Sequence, residues 1–186
     1  MPFSLFEGYY NKALDAGQLN IEAMCLSTAN LNLSYSRMVN IKYICNDKIV
    51  FFSNYDSNKG KQIEFSQNVS CLFFWPTINM QIRMLGDIKK CTKNFSDEHF
   101  YNRSQLKNAL AISSNQSAVI SSFSKVKQKF DDCVKNKNLS ERPDYWGGYE
   151  IEPVYFEFWK GGENRLNKRE EYKLEENEWT FSILEP

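Results

Sequence analysis

The stretch VSCLFFWPTINMQIRMLGDIKK, residues 69–90, contains two segments with the composition of β-strands. Val69–Trp75 and Met80–Lys90 are rich in Val, Ile, Phe and Met, and turn-forming proline and asparagine stand between them. Segments of the same kind occur on both sides of this stretch: Ala23–Thr28, Ser36–Ile44, Lys48–Ser53, Tyr149–Trp159, Arg165–Leu174 and Trp179–Leu184. Seven or so mostly consecutive strands with short connections predict an antiparallel meander that closes on itself and so leaves no exposed sheet edge.

Helical patterns flank these strands. Phe3–Gly17 is amphipathic, and Ser57 has the position of an N-cap for a short helix that continues to about Gln67. Ser96, which is followed by two acidic residues, predicts the start of a further helix, and Ala118–Lys135 predicts another. The predicted fold class is therefore α+β, a small closed antiparallel β-barrel with flanking helices.

Length and composition limit the number of domains and the class of partner. With 186 residues, of which 42% are hydrophobic, the chain can bury one full core, and we predict a single domain over residues 1–186. Basic and acidic residues are equal at 23 each, so the chain lacks the net positive charge that general binding of nucleic acid or anionic membranes requires. No apolar run approaches the roughly 18 residues of a spanning helix. The first residues also lack the layout of a signal peptide, and we predict a cytoplasmic protein.

The chain is poor in the residues that build common catalytic centres. His99 is the only histidine, and the five cysteines are far apart and odd in number. This pattern argues against a metal site and a Ser-His-Asp or Cys-His catalytic centre, and it favours reduced thiols. Neither glycine-rich phosphate motif, G-x-G-x-x-G or G-x-x-x-x-G-K-[ST], is present. We therefore expect side chains to hold any phosphate and a cofactor to carry any redox chemistry.

One candidate anion site is the segment Ser57-Asn58-Lys59-Gly60-Lys61. Lysines are mildly unfavourable at the positive end of a helix dipole, so two of them beside a serine cap predict a bound anion. A solvated helix start in a lysine-rich chain is the alternative.

A second candidate lies in WKGGENRLNKR, residues 159–169. Side chains alternate along a strand, so Arg165, Asn167 and Arg169 are predicted to share one face. Two guanidinium groups and an amide on that face would suit a phosphate or an electron-rich ring. An exposed, charged strand is the alternative.

A third candidate is Ser36–Lys42, which carries two cations in a predicted strand. Arg37 and Lys42 have opposite parity, so either a bulge realigns them or they serve different walls of a pocket. The alternative is that both are surface side chains whose charged ends reach solvent.

Three further positions are candidates for ligand binding because of the predicted elements around them. Gln81 lies within a predicted strand, and Gln116-Ser117 comes just before the predicted helix at 118–135, where it could meet an anion. Arg103 is one helical turn from both His99 and Lys107, so the three are predicted to form a basic stripe. A solvated helix face is the commoner meaning of such a stripe.

Taken in order, these segments resemble the pyridoxamine 5′-phosphate oxidase family over nearly the whole chain. The most specific match is EFWKGGENRL, residues 157–166, and RMVNIK, residues 37–42, supports it. Further matching segments are FSN at 52–54, QIE at 62–64, VSCLFFW at 69–75, YWGGY at 145–149 and LEP at 184–186.

The resemblance implies a split-barrel homodimer with two sites for flavin mononucleotide (FMN) at the subunit interface. It implies oxidation of pyridoxamine or pyridoxine 5′-phosphate to pyridoxal 5′-phosphate, with oxygen as acceptor and release of hydrogen peroxide. It assigns the cofactor contacts to Arg37, Met38, Val39, Asn40, Ile41, Lys42, Phe52, Ser53, Asn58, Lys59, Gln81, Gln116, Ser117, Trp159 and Arg169. It assigns the contacts with a small phosphorylated pyridine substrate to Lys42, His99, Arg103, Lys107, Arg165 and Asn167, with Arg165 and Asn167 as the candidate catalytic residues.

Four residues depart from the family pattern. Asn58 stands where the family usually has an arginine at the helix start, and Asn167 stands where it usually has a histidine. His99 and Lys107 stand where it usually has tyrosine and serine, so the cofactor half is better preserved than the substrate half. Two alternatives stay open: a related FMN-dependent oxidase with another substrate, such as a reduced phenazine-type heterocycle, and a flavin-binding module without turnover.

Overall fold

The computed structural model describes all 186 residues, Met1–Pro186, which form eight strands and five α-helices. The strands are β1 Ala23–Asn30, β2 Leu33–Cys45, β3 Lys48–Asn54, β4 Asn68–Trp75, β5 Met80–Lys90, β6 Trp146–Lys160, β7 Lys168–Glu175 and β8 Glu178–Leu184. The helices are α1 Pro2–Asp15, α2 Asn58–Phe65, α3 Lys93–Asn102, α4 Gln105–Ser113 and α5 Phe123–Asn136. Short 3₁₀ turns lie at Pro76–Ile78 and Glu163–Arg165. None of the helices combines the length and the apolar character needed to cross a membrane.

Six of the strands form a closed antiparallel barrel. Their order is β3-β2-β1-β4-β5-β6, and pairing of β3 with β6 closes the ring, which confirms the predicted fold class. The prediction of a simple meander is wrong, because β3 and β4 are consecutive in the chain but are not neighbours in the sheet. Both edges of β1 are occupied, by β2 and β4, and the connection between β3 and β4 runs through α2, which packs against β1.

The long strand β6 belongs to the barrel and also to a hairpin beyond it. Its first part, Trp146–Ile151, pairs with β3, and its last part, Tyr155–Lys160, pairs with β7, while β5 pairs with both parts. The β7–β8 hairpin therefore extends from the barrel, and β8 keeps a free edge. The prediction that closure leaves no exposed edge does not hold for this hairpin.

The core fills the barrel and the contact between the barrel and α1. It is a cluster of 21 buried residues, with Phe3 and Phe6 of α1 among them. The ring of Phe6 lies 5.3 Å from that of Phe73 and 6.0 Å from that of Trp75, measured between centroids. Burial of an aromatic side chain of this size contributes about 1.5–3 kcal/mol, so α1 is an integral part of the fold.

The predicted N-cap at Ser57 is confirmed, since its hydroxyl accepts a hydrogen bond from the Gly60 N–H of α2. The predicted helix start at Ser96 is wrong, because α3 begins at Lys93 and its cap is Thr92. Ser96 is buried within α3, where its hydroxyl accepts a hydrogen bond from the Gly148 N–H of β6. A serine that looked like a cap therefore satisfies a buried backbone group of another element.

The predicted helix at 118–135 begins later than expected. Its first residue is Phe123, and Ser122 caps it by accepting a hydrogen bond from the Lys125 N–H. Gln116-Ser117 consequently lies in an irregular segment between α4 and α5, and not directly at a helix start.

Candidate functional site

A buried lysine at the start of α2 has no acidic partner. The Lys59 side chain lies 2.6 Å from the Ser53 hydroxyl and 3.0 Å from the Ser57 hydroxyl, and the residue is only 9% exposed. Burial lowers the pKa of Lys59 to about 8, and the nearby positive charge of Arg37 adds to the effect. Buried charges in proteins are normally paired, so a bound anion would stabilise this ammonium group.

Arg37 of β2 is a second cation in the same region with neutral partners only. Its guanidinium donates to the Thr28 hydroxyl at 2.7 Å, to the Leu26 carbonyl at 3.2 Å and to the Gln62 side-chain carbonyl at 2.7 Å. Burial lowers the pKa of Arg37 as well. Two cations therefore converge beside the N-terminus of α2, whose free N–H groups add positive potential.

The irregular segment that contains Gln116 and Ser117 covers this helix end. The Ser117 hydroxyl accepts a hydrogen bond from the Asn58 N–H at 3.2 Å, and the Ser53 hydroxyl donates to the side-chain carbonyl of Gln116 at 3.4 Å. Ser117 has a backbone φ of +75°, a conformation that is unfavourable for residues other than glycine. We call Arg37, Ser53, Lys59, Gln116 and Ser117, with the start of α2, the helix-end cluster.

A cavity of about 240 Å³ lies next to the helix-end cluster. Aromatic and cationic side chains line it together, among them Phe52, Trp146, Arg103 and Lys107. The Arg103 guanidinium lies 4.4 Å from the centroid of the Trp146 ring, an attractive cation–π contact, and burial lowers its pKa. The cavity thus offers a flat apolar wall and positive charge at the same place.

His99 contributes a neutral ring to this wall. Its imidazole stacks on Phe52 with 3.6 Å between centroids, and Nδ1 lies 2.9 Å from the Tyr43 hydroxyl. Burial, together with the nearby charges of Arg103 and Lys42, lowers the pKa of His99 to about 4. The ring is therefore uncharged near neutral pH and acts through hydrogen bonding and stacking.

The predicted basic stripe of His99, Arg103 and Lys107 does not lie on one helix. Arg103 ends α3 in an extended conformation, and Ser104 caps a separate helix, α4, that carries Lys107. The break between α3 and α4 turns the chain, yet Arg103 and Lys107 still line one cavity and His99 lies close to Arg103.

In the segment Arg37–Lys42 a bulge is present, but it does not realign the two cations. The β2–β3 register shifts between Ile41 and Tyr43, which is a bulge at Lys42. Arg37, Val39 and Ile41 are the less exposed residues, whereas Met38, Asn40 and Lys42 are exposed. Because the bulge follows Ile41, it leaves Arg37 and Lys42 on opposite faces. Lys42 contacts Glu22 at 4.0 Å and lies close enough to His99 to affect its pKa.

The remaining candidates lie around the β6–β7 hairpin. Trp159 of β6 pairs with Gln81 of β5 on one side and with Arg169 of β7 on the other. Arg169 donates from Nε to the buried carboxylate of Glu157 at 2.9 Å and from Nη1 to the Glu185 carbonyl at 2.9 Å. The hydrogen bond from Arg169 to Glu157 raises the pKa of Arg169, so this cation, unlike Lys59, is neutralised within the chain.

The prediction that Arg165, Asn167 and Arg169 share one strand face is wrong. β7 begins only at Lys168, and Arg165 ends a 3₁₀ turn with a φ of +64°. This backbone conformation costs roughly 1–2 kcal/mol for a residue other than glycine. The Arg165 side chain is exposed, and the Asn167 side chain accepts a hydrogen bond from the Gly162 N–H at 3.2 Å. We call Gln81, Trp159, Arg165, Asn167 and Arg169 the hairpin cluster.

The two clusters lie at opposite ends of β6. Ser53 of the helix-end cluster pairs with Gly147 at the start of this strand, whereas Trp159 is twelve residues farther along it. At a rise of about 3.3 Å per residue, the path along the strand is about 40 Å. Within the chain, no hydrogen bond or ion pair joins a residue of one cluster to a residue of the other.

Several residues of the site carried no functional interpretation in the sequence. They are Thr28, Tyr43, Gln62, Trp146 and Glu157. Gln62, Trp146 and Glu157 lie within the matching segments, which is a signal that could have singled them out. Thr28 and Tyr43 are recognised only by their contacts with Arg37 and His99.

Two family descriptions match the chain. Residues 11–135 match the family described as pyridoxamine 5′-phosphate oxidase. Residues 146–186 match the family described as the pyridoxine 5′-phosphate oxidase C-terminal dimerisation region. The second match contains β6, β7 and β8 and so includes most of the hairpin cluster.

The chain is also similar to curated bacterial proteins. A pyridoxine/pyridoxamine 5′-phosphate oxidase of Leptospira biflexa is 37% identical over 188 residues, which cover 100% of this chain and 89% of the relative. The oxidase of the same name from Rippkaea orientalis is 39% identical over 189 residues, with the same coverage.

Solved structures share the fold. PhzG from Burkholderia lata, in complex with tetrahydrophenazine-1-carboxylic acid, superposes with a TM-score of 0.95 at 24% identity, covering 100% of this chain and 93% of that one. A pyridoxamine 5′-phosphate oxidase-related, FMN-binding protein from Nostoc punctiforme gives a TM-score of 0.78 at 15% identity, with 96% of each chain covered.

Proposed function

This chain belongs to the pyridoxamine 5′-phosphate oxidase family, and from that premise we propose that it is an FMN-dependent oxidase of pyridoxine or pyridoxamine 5′-phosphate. The observation that carries the proposal is the buried Lys59, which lies beside Arg37 at a helix N-terminus with neutral partners only. A phosphate dianion would supply the missing charge, and a phosphate-bearing cofactor is what the family resemblance implies.

The helix-end cluster fits the phosphate group of FMN. Lys59 and Arg37 supply charge, and the Ser53 and Ser117 hydroxyls and the α2 N–H groups supply further hydrogen-bond partners. Asn58 removes the second side-chain cation that the family usually has at this helix start. Lys61, which lines the neighbouring 190 Å³ cavity with Asn58, is placed to compensate for that loss.

The hairpin cluster would reach the same cofactor from a second copy of the chain. Within one chain, its anchor on β6, Trp159, is twelve residues from Gly147, which pairs with Ser53 of the helix-end cluster. A homodimer in which the hairpin of one copy meets the α2 end of the other would complete two equivalent sites. The match of residues 146–186 to a dimerisation region supports this arrangement.

The cavity beside the helix-end cluster fits the substrate. Arg103 and Lys107 would bind the substrate phosphate together with Lys42, and neutral His99 would add a hydrogen bond. Phe52 and Trp146 would pack against the pyridine ring and exclude water. These residues orient the substrate, and Arg165 of the hairpin cluster approaches it from the other copy.

FMN, when bound, would supply the hydride acceptor and the route for two electrons to oxygen, which leaves as hydrogen peroxide. Two-electron oxidation of the alcohol gives pyridoxal 5′-phosphate directly, whereas the amine gives an imine that water hydrolyses with release of ammonia. No residue at this site has to act as a nucleophile. A neutral His99 and a single histidine in the chain are consistent with a protein that binds and orients.

A related oxidase with another substrate, such as a reduced phenazine-type heterocycle, is the second candidate. The observation that favours it is the altered substrate side, where His99, Lys107 and Asn167 depart from the family pattern. Two cations beside stacked aromatic rings also suit a carboxylate on a larger ring system.

The deciding experiment is reduction of the bound flavin without oxygen. The purified protein is first analysed for the flavin that it releases, and pyridoxine 5′-phosphate is then added anaerobically. Bleaching of FMN, with peroxide formation when air is admitted, is the expected result. Bleaching by reduced heterocycles alone would favour the second candidate, and a flavin that no donor reduces would indicate a binding module without turnover.

A further inference from the structure

The loop between β6 and β7, residues 161–167, holds an arginine in an unfavourable backbone conformation. Asn164 and Arg165 have φ values of +51° and +64°. Asparagine is common in this region, because its short polar side chain tolerates it, whereas arginine is not. The Arg165 side chain does not itself favour a left-handed backbone, so the surrounding loop must hold this residue in that conformation.

Backbone hydrogen bonds tie the loop to a neighbouring turn at its first residue and hold its second half internally, where the Leu166 N–H donates to the Glu163 carbonyl at 3.0 Å. The Gly161 N–H donates to the Asn79 carbonyl at 3.1 Å, which ties the loop to the turn before β5. Gly162 has no space for a side chain, because a Cβ there would lie 2.2 Å from the Leu166 carbonyl oxygen. The loop thus folds tightly back on itself between the paired residues Lys160 and Lys168.

Asn167 closes the far end of this loop. Its side-chain carbonyl accepts the hydrogen bond from the Gly162 N–H at 3.2 Å, and its own N–H donates to the Arg165 carbonyl at 2.8 Å. Leu166 between them has φ −73° and ψ 69°, the geometry of an inverse γ-turn. The bond between the Asn167 side chain and the Gly162 N–H encloses residues 163–166, and Asn164 and Arg165 with their left-handed backbones are among them. It is the one side-chain hydrogen bond within the loop.

We propose that Asn167 is a positioning residue, which locks the β6–β7 loop so that Arg165 presents its guanidinium to the substrate, and that Asn167 does not itself contact the substrate. The proposal rests on the proposed function, in which Arg165 approaches the substrate. The side-chain carbonyl of Asn167 accepts the hydrogen bond from the Gly162 N–H. A histidine at this position would have no such carbonyl.

A double-mutant cycle tests the proposal with the flavin-loaded, full-length protein. Asn167→Ala is expected to lower kcat/KM for pyridoxine 5′-phosphate about three- to tenfold, the range for losing one neutral hydrogen bond that holds the competent loop. The same change in an Arg165→Ala background is expected to have no further effect, because it acts only through Arg165. An equal loss in both backgrounds, or no loss in either, would overturn the proposal. Lys168→Ala, an exposed neighbour, serves as the control and is expected to keep the activity.

Amide hydrogen exchange tests the lock independently of turnover. Protection of the Gly162 N–H is expected in the wild type, lost in Asn167→Ala and restored in Asn167→Asp, which keeps an acceptor but no amide donor. Unchanged protection in Asn167→Ala would overturn the proposal. If the wild type oxidised no pyridoxine 5′-phosphate, the proposed function would fail, while the exchange result would still decide whether Asn167 holds the loop.

Discussion

The helix-end cluster and the hairpin cluster both contain cations, but they differ in what neutralises them. Lys59 and Arg37 have hydroxyl, amide and carbonyl partners only, whereas Arg169 is paired with the buried Glu157, which Arg83 also contacts. Burial opposes ionisation of Glu157, yet these two arginines hold its pKa below the ordinary value. The buried cations of the helix-end cluster therefore have no acidic partner within the chain, whereas Arg169 of the hairpin cluster is already compensated by Glu157.

Of the substitutions in the two clusters, a change at Lys59 is expected to weaken FMN binding most. Lys59→Met should weaken FMN binding by about 1.5–3 kcal/mol, the range for a hydrogen bond to a charged group. The apoprotein should not lose stability, since the change removes a buried charge without a partner. A fluorescence titration and thermal unfolding of the apoprotein measure the two effects. Lys135→Met, an exposed lysine of α5 outside both clusters, is the control. Equal FMN affinities for Lys59→Met and wild type would show that Lys59 does not bind the phosphate.

The pH dependence of FMN binding should follow the same lysine. The pKa of Lys59 is lowered to about 8, so the apoprotein loses this proton as the pH rises through 8, and FMN affinity should then fall by up to about tenfold per pH unit. The apoprotein itself should become more stable over that range, because the unfolded chain still binds the proton that the folded chain has lost. Lys59→Arg keeps the charge and should flatten the profile between pH 7 and 9.5. A slope that survives in Lys59→Met would assign the pH effect to another group.

A substitution at Arg169 is expected to weaken FMN binding less than one at Lys59. Because its charge is already compensated by Glu157, Arg169→Ala should weaken FMN binding by only about 0.5–1.5 kcal/mol, the range for a hydrogen bond without a net charge. Titration at two salt concentrations sharpens the comparison, since the Lys59 contribution should be the more sensitive to salt. Lys168→Ala is the matched control. A loss at Arg169 as large as that at Lys59 would remove the distinction between the clusters.

The substitution at His99 is expected to change stability at acid pH and not FMN affinity. Its pKa is lowered to about 4, so the folded chain binds this proton less readily than the unfolded chain, and stability should fall as the pH decreases from 6.5 to 4. His99→Phe should remove this part of the acid sensitivity while it keeps the stack on Phe52. Urea unfolding at pH 7 and pH 5 measures the change. An identical loss of stability in wild type and His99→Phe would show that other groups cause it.

The sequence predicted features that depend on local chemistry better than those that depend on packing. Ser57 was recognised as a cap because capping involves residues within one turn, and the closed barrel follows from the order of strand-like segments. The strand at Arg165–Leu174 was predicted too long, because nothing in its alternation shows that Arg165 adopts a left-handed conformation. Ser96 was misplaced since its partner, Gly148, is 52 residues away.

The composition of the candidate site was predicted better than its geometry. The matching segments named Lys59, Arg37 and Arg169, but parity and spacing did not show which of these cations has an acidic partner. That difference depends on Glu157, whose two arginine partners come from neighbouring strands. The separation of the two clusters depends on the register of β6 with β3 and β7, which only the folded chain reveals.

Mixed dimers test directly whether one FMN site takes the helix-end cluster from one copy and the hairpin cluster from another. One copy carries Lys59→Met and the other carries Trp159→Ala with Arg169→Ala, and two affinity tags isolate the mixed dimer. Each variant alone should lack sites of wild-type affinity. The mixed dimer should recover one such site per dimer, because one helix-end cluster and one hairpin cluster remain unchanged and meet each other. A mixed dimer with no site of wild-type affinity would place both clusters of a site in the same chain and contradict the account.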